Sequence, residues 1–362
     1  MSANSVANSD QESKMKKSVQ LLLVLAGFTA AATVPAQAQV PQIQYQAEDA
    51  LSDFPDDIHM GEAAGVARNS DGDIYVYTRT GNPVLSLGMS RYVTHGGSRI
   101  FHFDSDGEYE GEIGQETYGA LYAQQLRIDA DDNIWTVDQF SGQVIKYDED
   151  GRILMVMSRK PETLRVPQRP PPDSPPAGTG REGESFQGPT DVTWDSQGNF
   201  YVADGIRNAR IAKYEPTGKW IMNWGTRGNA AGEFDVIQGI AIDDEDNLYV
   251  ADWGNERIQV FDTRGNFRRE ISGIGAPMAI CITPGPNQVI YVSNSNPPDN
   301  LDVGGEIYKV ALNGVILGRF GTAGKQIGQF GTVNAIDCKE ENELLVGELG
   351  NWRVQRVTLQ PM

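Results

Sequence analysis

Few residues of this 362-residue chain are equipped for chemistry, and their spacing says more than their number. The histidines are His59, His95 and His102, and the cysteines are Cys281 and Cys338. His59 and His95 could share one surface and hold a metal between two imidazoles, although an isolated histidine is more often an ordinary polar side chain. The cysteines fall on corresponding strands of neighbouring repeats. They could pair in an oxidising compartment unless strand parity points them apart. Acid–arginine pairs recur at equivalent places, as Asp204/Arg210, Asp252/Arg257 and Glu348/Arg353. Repetition favours an architectural staple over a catalytic pair, because a catalytic group is needed once. The chain has no P-loop, dinucleotide fingerprint, serine elbow or paired-cysteine metal motif.

The elements that position these residues come from a repeated sentence. Its clearest copy reads Gly239-Ile240-Ala241-Ile242-Asp243, then Asn247-Leu248-Tyr249-Val250-Ala251-Asp252, then Asn255-Glu256-Arg257-Ile258-Gln259-Val260-Phe261. The same order returns between Asp191 and Tyr214 and between Leu126 and Tyr147. Period-two alternation of aromatic and β-branched residues marks strands, and Asp71-Gly72, Asp106-Gly107 and Gln197-Gly198 punctuate them. All-strand units repeating at roughly 40–50 residues predict a β-propeller. We read an all-β fold of six blades, each of four antiparallel strands, over 61–116, 120–158, 188–226, 236–273, 276–320 and 332–359. The last blade holds three strands before the chain stops. Pro41-Gln42-Ile43-Gln44-Tyr45-Gln46 is the natural donor of the fourth, so an N-terminal strand is predicted to close the ring.

Residues 1–38 read as a secretory leader, with Met15 an alternative start, and residues 39–362 as the propeller. Lys16 and Lys17 precede the apolar run Leu21 to Ala32, and Ala36-Gln37-Ala38 fits a cleavage site. A secreted or periplasmic location follows, with no stable membrane span after leader removal. Net charge is −19, which argues against nucleic acid as a partner.

Three insertions fall on the face where first strands begin and second strands end. They follow Arg79 to about Ser98, occupy about 159–187, and run from Asn294 to about Gly305. The middle one is Pro-rich and carries Arg159, Lys160, Arg165, Arg169 and Arg181. It is either a lid over an acidic ring or a solvated loop. Loops gathered on one face of a rigid scaffold are the usual place for a binding site. Trp253, Phe140 and Tyr122 should project there, suiting a sugar, peptide or planar ligand, whereas Trp135 and Trp194 belong to the core.

The blade pattern resembles the NHL repeat, and the chain resembles the peptidylglycine-amidating lyases, which are zinc-dependent six-bladed propellers. The likeness is strongest at Gly61-Glu62-Ala63-Ala64-Gly65-Val66-Ala67, Asp204-Gly205-Ile206-Arg207-Asn208-Ala209-Arg210-Ile211 and Arg257-Ile258-Gln259-Val260-Phe261. The resemblance implies a metal held by three histidines at first-strand entries of alternating blades. The matching residues here are Gln124, Gln238 and Asn334. The family's catalytic tyrosine corresponds to Ile206, the acid after its last histidine to Ala335, and its arginine at the end of blade 1's second strand to Arg79. Neutral carboxamides hold Zn²⁺ poorly and do not lower the pKa of a bound water.

What remains is a ring of amides at the channel mouth, with Thr190 and Met278 between them. The amides could hydrogen-bond a small polar or peptide ligand while Arg79 meets its carboxylate. They could instead offer carbonyls to Ca²⁺, or simply line a wet channel. The expectation is therefore a non-catalytic propeller that binds a small ligand or a partner protein through Arg79, Gln124, Thr190, Ile206, Gln238, Trp253 and Asn334. No catalytic residue or metal ligand is assigned, calcium is kept open and zinc is disfavoured. The alternative is an enzyme with a rearranged site. It would be either a metal-dependent lyase of the amidating type or a calcium-dependent lactonase-like hydrolase using Asp191 and Glu348.

Overall fold

The computed structural model describes residues 40–360, except 81–84, 87–91, 94–96, 116, 118, 159–185, 298–299 and 341. The proposed leader, His95 and the Pro-rich insertion therefore lie outside the described residues. Six four-stranded sheets are present, each antiparallel; blades 2 to 5 are built from consecutive strands, and in blade 1 a two-stranded hairpin, Leu85–Ser86 with Tyr92–Val93, intervenes between the second and third strands. Blade 1 holds Glu62–Arg68, Ile74–Arg79, Ser98–Phe103 and Tyr109–Ile113. Blade 2 holds Ala123–Ile128, Ile134–Asp138, Gln143–Tyr147 and Ile153–Met157. Blade 3 holds Asp191–Trp194, Phe200–Asp204, Arg210–Tyr214 and Trp220–Trp224. Blade 4 holds Ile237–Ile242, Leu248–Asp252, Arg257–Phe261 and Phe267–Ser272. Blade 5 holds Pro277–Ile282, Val289–Asn294, Ile307–Ala311 and Ile316–Phe320.

Blade 6 combines Val333–Glu340, Glu343–Glu348 and Arg353–Leu359 with the N-terminal strand Tyr45–Asp49. Tyr45 pairs with Leu359 and Asp49 with Gln355. The ring thus closes with an N-terminal strand, but that strand starts later than Pro41. Proline has no N–H to donate to a ladder. Residues 41–43 lie instead against the outer strand of blade 5, where Ile43 N donates to Arg319 O at 2.8 Å and Arg319 N to Pro41 O at 2.9 Å. Ile43 is buried in the core shared by blades 5 and 6, which fixes the turn into Tyr45.

The core lies between blades. Second strands such as Ile134–Asp138 and Leu248–Asp252 are buried throughout, whereas the outer strand Phe267–Ser272 is largely exposed. The hairpins joining first to second strands share one device. Asp129, Asp195 and Asp243 each accept backbone N–H groups two and four residues ahead. This self-bonding makes the turn local and explains the repeated acid. First strands approach closely around the axis. A Cβ on Gly65 would lie 2.2 Å from Leu126 N, so only glycine fits between blades 1 and 2. Cys281 and Cys338 form a disulfide between the first strands of blades 5 and 6, with their Cα atoms 6.1 Å apart.

Candidate functional site

The second strand of each blade ends on the face that carries the insertions. In blades 2, 3, 4 and 6 the terminal residue is a buried acid: Asp138, Asp204, Asp252 and Glu348. Asp204 binds Arg210 at 3.1 Å, Asp252 binds Arg257 at 2.9 Å and Glu348 binds Arg353 at 2.7 Å. Each acid also accepts a backbone N–H from the loop entering its own blade: Gln187, Asp235 and Gly331 respectively. The recurring pairs are staples, as their repetition implied. Burial pushes Asp204 above the usual carboxylate range, with Asn208 and Arg210 opposing it.

Blade 1 breaks this rule. Its second strand ends in Arg79, a cation where four sister blades place an acid. Arg79 leans toward blade 2. Its Nε donates to Ala123 O at 2.7 Å, Nη2 to Gln124 Oε1 at 3.0 Å, and Nη1 to Glu62 Oε2 and Tyr122 Oη, each at 3.0 Å. The guanidinium also lies 3.8 Å above the Tyr122 ring centroid, a cation–π stack. Departures from a repeat's own pattern are where function is expected.

From Arg79 the polar chain crosses toward the axis. Gln124 Nε2 donates to Gln238 Oε1 at 3.4 Å, so blades 2 and 4 meet through their amides. Asn334 Nδ2 donates to Ala64 O at 2.5 Å and to Gln124 O at 2.7 Å, turning its amide into the backbone of blades 1 and 2. Arg79, Gln124, Gln238 and Asn334 are thus brought together. Thr190 is fully buried and its hydroxyl donates to Ala203 O at 3.2 Å. Ile206 packs against Gly188, and the Trp253 indole donates to Ser295 Oγ at 2.6 Å. These three hold to their own blades or immediate neighbours. Tyr122, Phe140 and Trp352 are exposed around the same face.

Below the amides lies a pair that the sequence reading missed. Arg127 donates from Nε to Asp191 Oδ1 at 3.0 Å and from Nη2 to Asp191 Oδ2 at 2.7 Å, and Nη2 also reaches Ile280 O of blade 5 at 3.1 Å. Asp191 further accepts Val192 N and Ile240 N, each at 2.9 Å. Burial pulls the Arg127 guanidinium down, but the Asp191 carboxylate outweighs it and holds the group above its ordinary value. One sequence signal was available. The equivalent position holds Ala67, Thr193, Ala241, Cys281 and Asp337 in the other blades, so blade 2 alone has a cation there. Both oxygens of Asp191 are engaged, and so are both of Glu348, through Gly331 N, Asn351 Nδ2, Arg353 Nε and Gln355 Nε2. Among the described residues, no three His, Cys, Asp or Glu side chains gather as a metal cluster. His102 sits elsewhere, stacked on Tyr75 and 3.2 Å from Asp73, and His59 is exposed.

Comparison with known proteins agrees with this architecture. Residues 234–261 match the NHL repeat. The chain is 30% identical over 234 residues to peptidyl-glycine alpha-amidating monooxygenase B of Xenopus laevis, a match covering 62% of this chain and 24% of that protein. It is 28% identical to a probable peptidyl-alpha-hydroxyglycine alpha-amidating lyase of Caenorhabditis elegans, over 56% of each chain. The match thus spans about a quarter of the frog protein and just over half of the nematode one. Among solved structures, a gluconolactonase from Xanthomonas campestris superposes with a TM-score of 0.57 at 14% identity, covering 90% of this chain and 97% of that one. A streptogramin B lyase superposes with a TM-score of 0.55 at 14% identity, covering 87% and 98%. Likeness at that identity establishes the six-bladed fold.

Proposed function

We propose that this protein is a non-catalytic binding propeller that captures a small carboxylate-bearing ligand, of the size of a peptide terminus, at the mouth of its channel. The observation that carries the reading is Arg79: of the two second-strand ends without an acid, blade 5 has the neutral Asn294 and blade 1 alone has a cation, stacked on Tyr122 and joined to the Gln124–Gln238 amide pair. A planar cation flanked by amide donors and acceptors suits a carboxylate and its adjoining peptide group. The relatives' names concern glycine-terminated peptides, which fits the same ligand class.

The donor set does not suit zinc. Gln124 Oε1 accepts from Arg79, Gln238 Oε1 accepts from Gln124, and the Asn334 amide donates into backbone carbonyls. A neutral amide already bound to a guanidinium is a poor ligand for Zn²⁺. The saturated carboxylates of Asp191 and Glu348 likewise speak against calcium-dependent hydrolysis. Export is part of the same proposal, supported by the Cys281–Cys338 disulfide and the leader-like N-terminus.

A lyase is the second reading, favoured by the names of the relatives. One experiment separates the two. Purified protein is given a peptidyl-α-hydroxyglycine, once after chelation and once after zinc loading. The binding reading expects no peptide amide under either condition. Amide release that tracks zinc content would establish the lyase and end the binding proposal.

A further inference from the structure

The entry loops of blades 4 and 6 are clamped several times over. In blade 4, Arg257 Nη2 donates to Ala230 O at 2.9 Å and Glu233 O at 3.0 Å, and Gln259 bridges Glu233 O at 2.7 Å and Gly232 N at 2.9 Å. In blade 6, Arg353 donates to the carbonyls of Lys325, Gln326 and Gln329, while Gln355 bridges Gln329 O and Gly328 N. Below each clamp lies the staple acid.

Blade 2 keeps the acid and loses the clamps. Asp138 pairs in register with Gln143, as Asp252 does with Arg257, so glutamine occupies the arginine's place. Ile145 occupies the place of Gln259, two residues further on. Gln143 lies directly under the entry loop, for a Cβ on Gly119 would fall 2.0 Å from its Oε1. That oxygen is buried without a hydrogen-bond partner. Among the described residues Asp138 has no ion pair, and it is 2% exposed. It caps the segment, accepting Leu121 N at 2.7 Å, Tyr122 N at 2.5 Å and, from its own turn, Ser141 N at 2.7 Å, while Gln139 N donates to Tyr122 O at 3.1 Å.

We propose that residues 119–122 are the moving element of the channel mouth, with Asp138 the positioning residue that holds Tyr122 on Arg79 when the segment is closed. The proposal rests on the reading of Arg79 as the ligand's anchor. Opening would lift Tyr122 off the guanidinium, whose side chain is only 11% exposed when closed. A buried carboxylate without a cation makes the closed state costly, so this loop opens while its clamped sisters stay shut.

The sign of the pH response follows. The groups facing Asp138 are the phenols of Tyr77 and Tyr147, the Ser141 hydroxyl and amide, and the two capping amides. None is a cation, and burial lifts the carboxyl above its usual range against those donors. The closed segment therefore binds a proton more readily than the open, solvated one. Acidification tightens it.

Amide hydrogen exchange on the full chain, without any ligand, tests this. After correction for intrinsic rates, residues 119–122 should exchange at least about tenfold faster than 232–235 and 328–331. Acidification from neutral pH should slow them selectively. Gln143→Arg should slow them to the sister level, and Asp138→Asn should flatten the pH response. Equal exchange in the three segments of the wild-type protein overturns the proposal even if either variant fails to fold. So does a pH response shared by all three. Because no ligand enters, selective opening with no carboxylate binding would refute only the binding reading.

Discussion

Arg127 of blade 2 and Asp191 of blade 3 meet in a two-pronged ion pair, at 3.0 and 2.7 Å, with Asp191 fully buried. The same guanidinium reaches blade 5, and the same carboxylate takes an amide from blade 4. Four blades therefore converge on one pair beside the axis. Removing one partner leaves a buried charge uncompensated. Arg127→Met should cost about 3 kcal/mol or more in urea unfolding. The double variant Arg127→Met/Asp191→Leu should recover much of that loss, because no lone charge remains. A single variant as stable as wild type would show the pair to be ornamental.

The disulfide makes a separate prediction. It closes a loop spanning 57 positions between the first strands of blades 5 and 6. Chain-entropy reasoning puts its contribution at no more than about 4 kcal/mol. Cys281→Ser/Cys338→Ser should fold to the same ring and melt at lower temperature. The six sheets and the Tyr45–Asp49 closure are held by their own strand ladders, which do not run through the disulfide.

Alkaline pH should unfold the protein. Burial, then the negative charges of Asp73, Glu149, Asp132 and Asp71, push the Tyr75 phenol up to about 12. Burial raises Tyr214 to about 12 as well, and Tyr77, Tyr147, Tyr201 and Tyr249 are raised too. An unfolded phenol ionises near about 10, so above that pH the unfolded chain releases protons that the folded one keeps. Stability is fully present below about pH 10 and falls as pH climbs toward the folded values. Denaturant midpoints measured across that window should drop steadily. A flat profile would contradict the burial assigned to these phenols.

The repeats made the blades legible, because hairpin acids and alternating strands are local signals. The closing strand was displaced along the chain since Pro41 and Ile43 are used by blade 5, a tertiary contact that no local pattern announces. The amides Gln124, Gln238 and Asn334 were singled out by the resemblance to the amidating lyases, at the positions matching that family's histidines. Their bonding was not, because Asn334 turns toward Ala64, 270 residues away. The stack of Arg79 on Tyr122 and the pairing of Arg127 with Asp191 join residues 43 and 64 positions apart, in different blades. Such pairs depend on which first strands become neighbours around the axis. Thr190 shares the repeat position yet points its hydroxyl into its own blade, since a short side chain bonds the nearest carbonyl.

The most direct test of the binding account is calorimetry with a glycine-terminated dipeptide, N-acetyl-tyrosyl-glycine, and its C-terminal amide, in the presence of a chelator. The account predicts that the free acid binds without added metal, that amidation weakens binding at least about tenfold, and that Arg79→Gln, checked to be folded by circular dichroism, erases the difference. Equal affinity for acid and amide in the wild-type protein, or binding that appears only when zinc is restored, would contradict it.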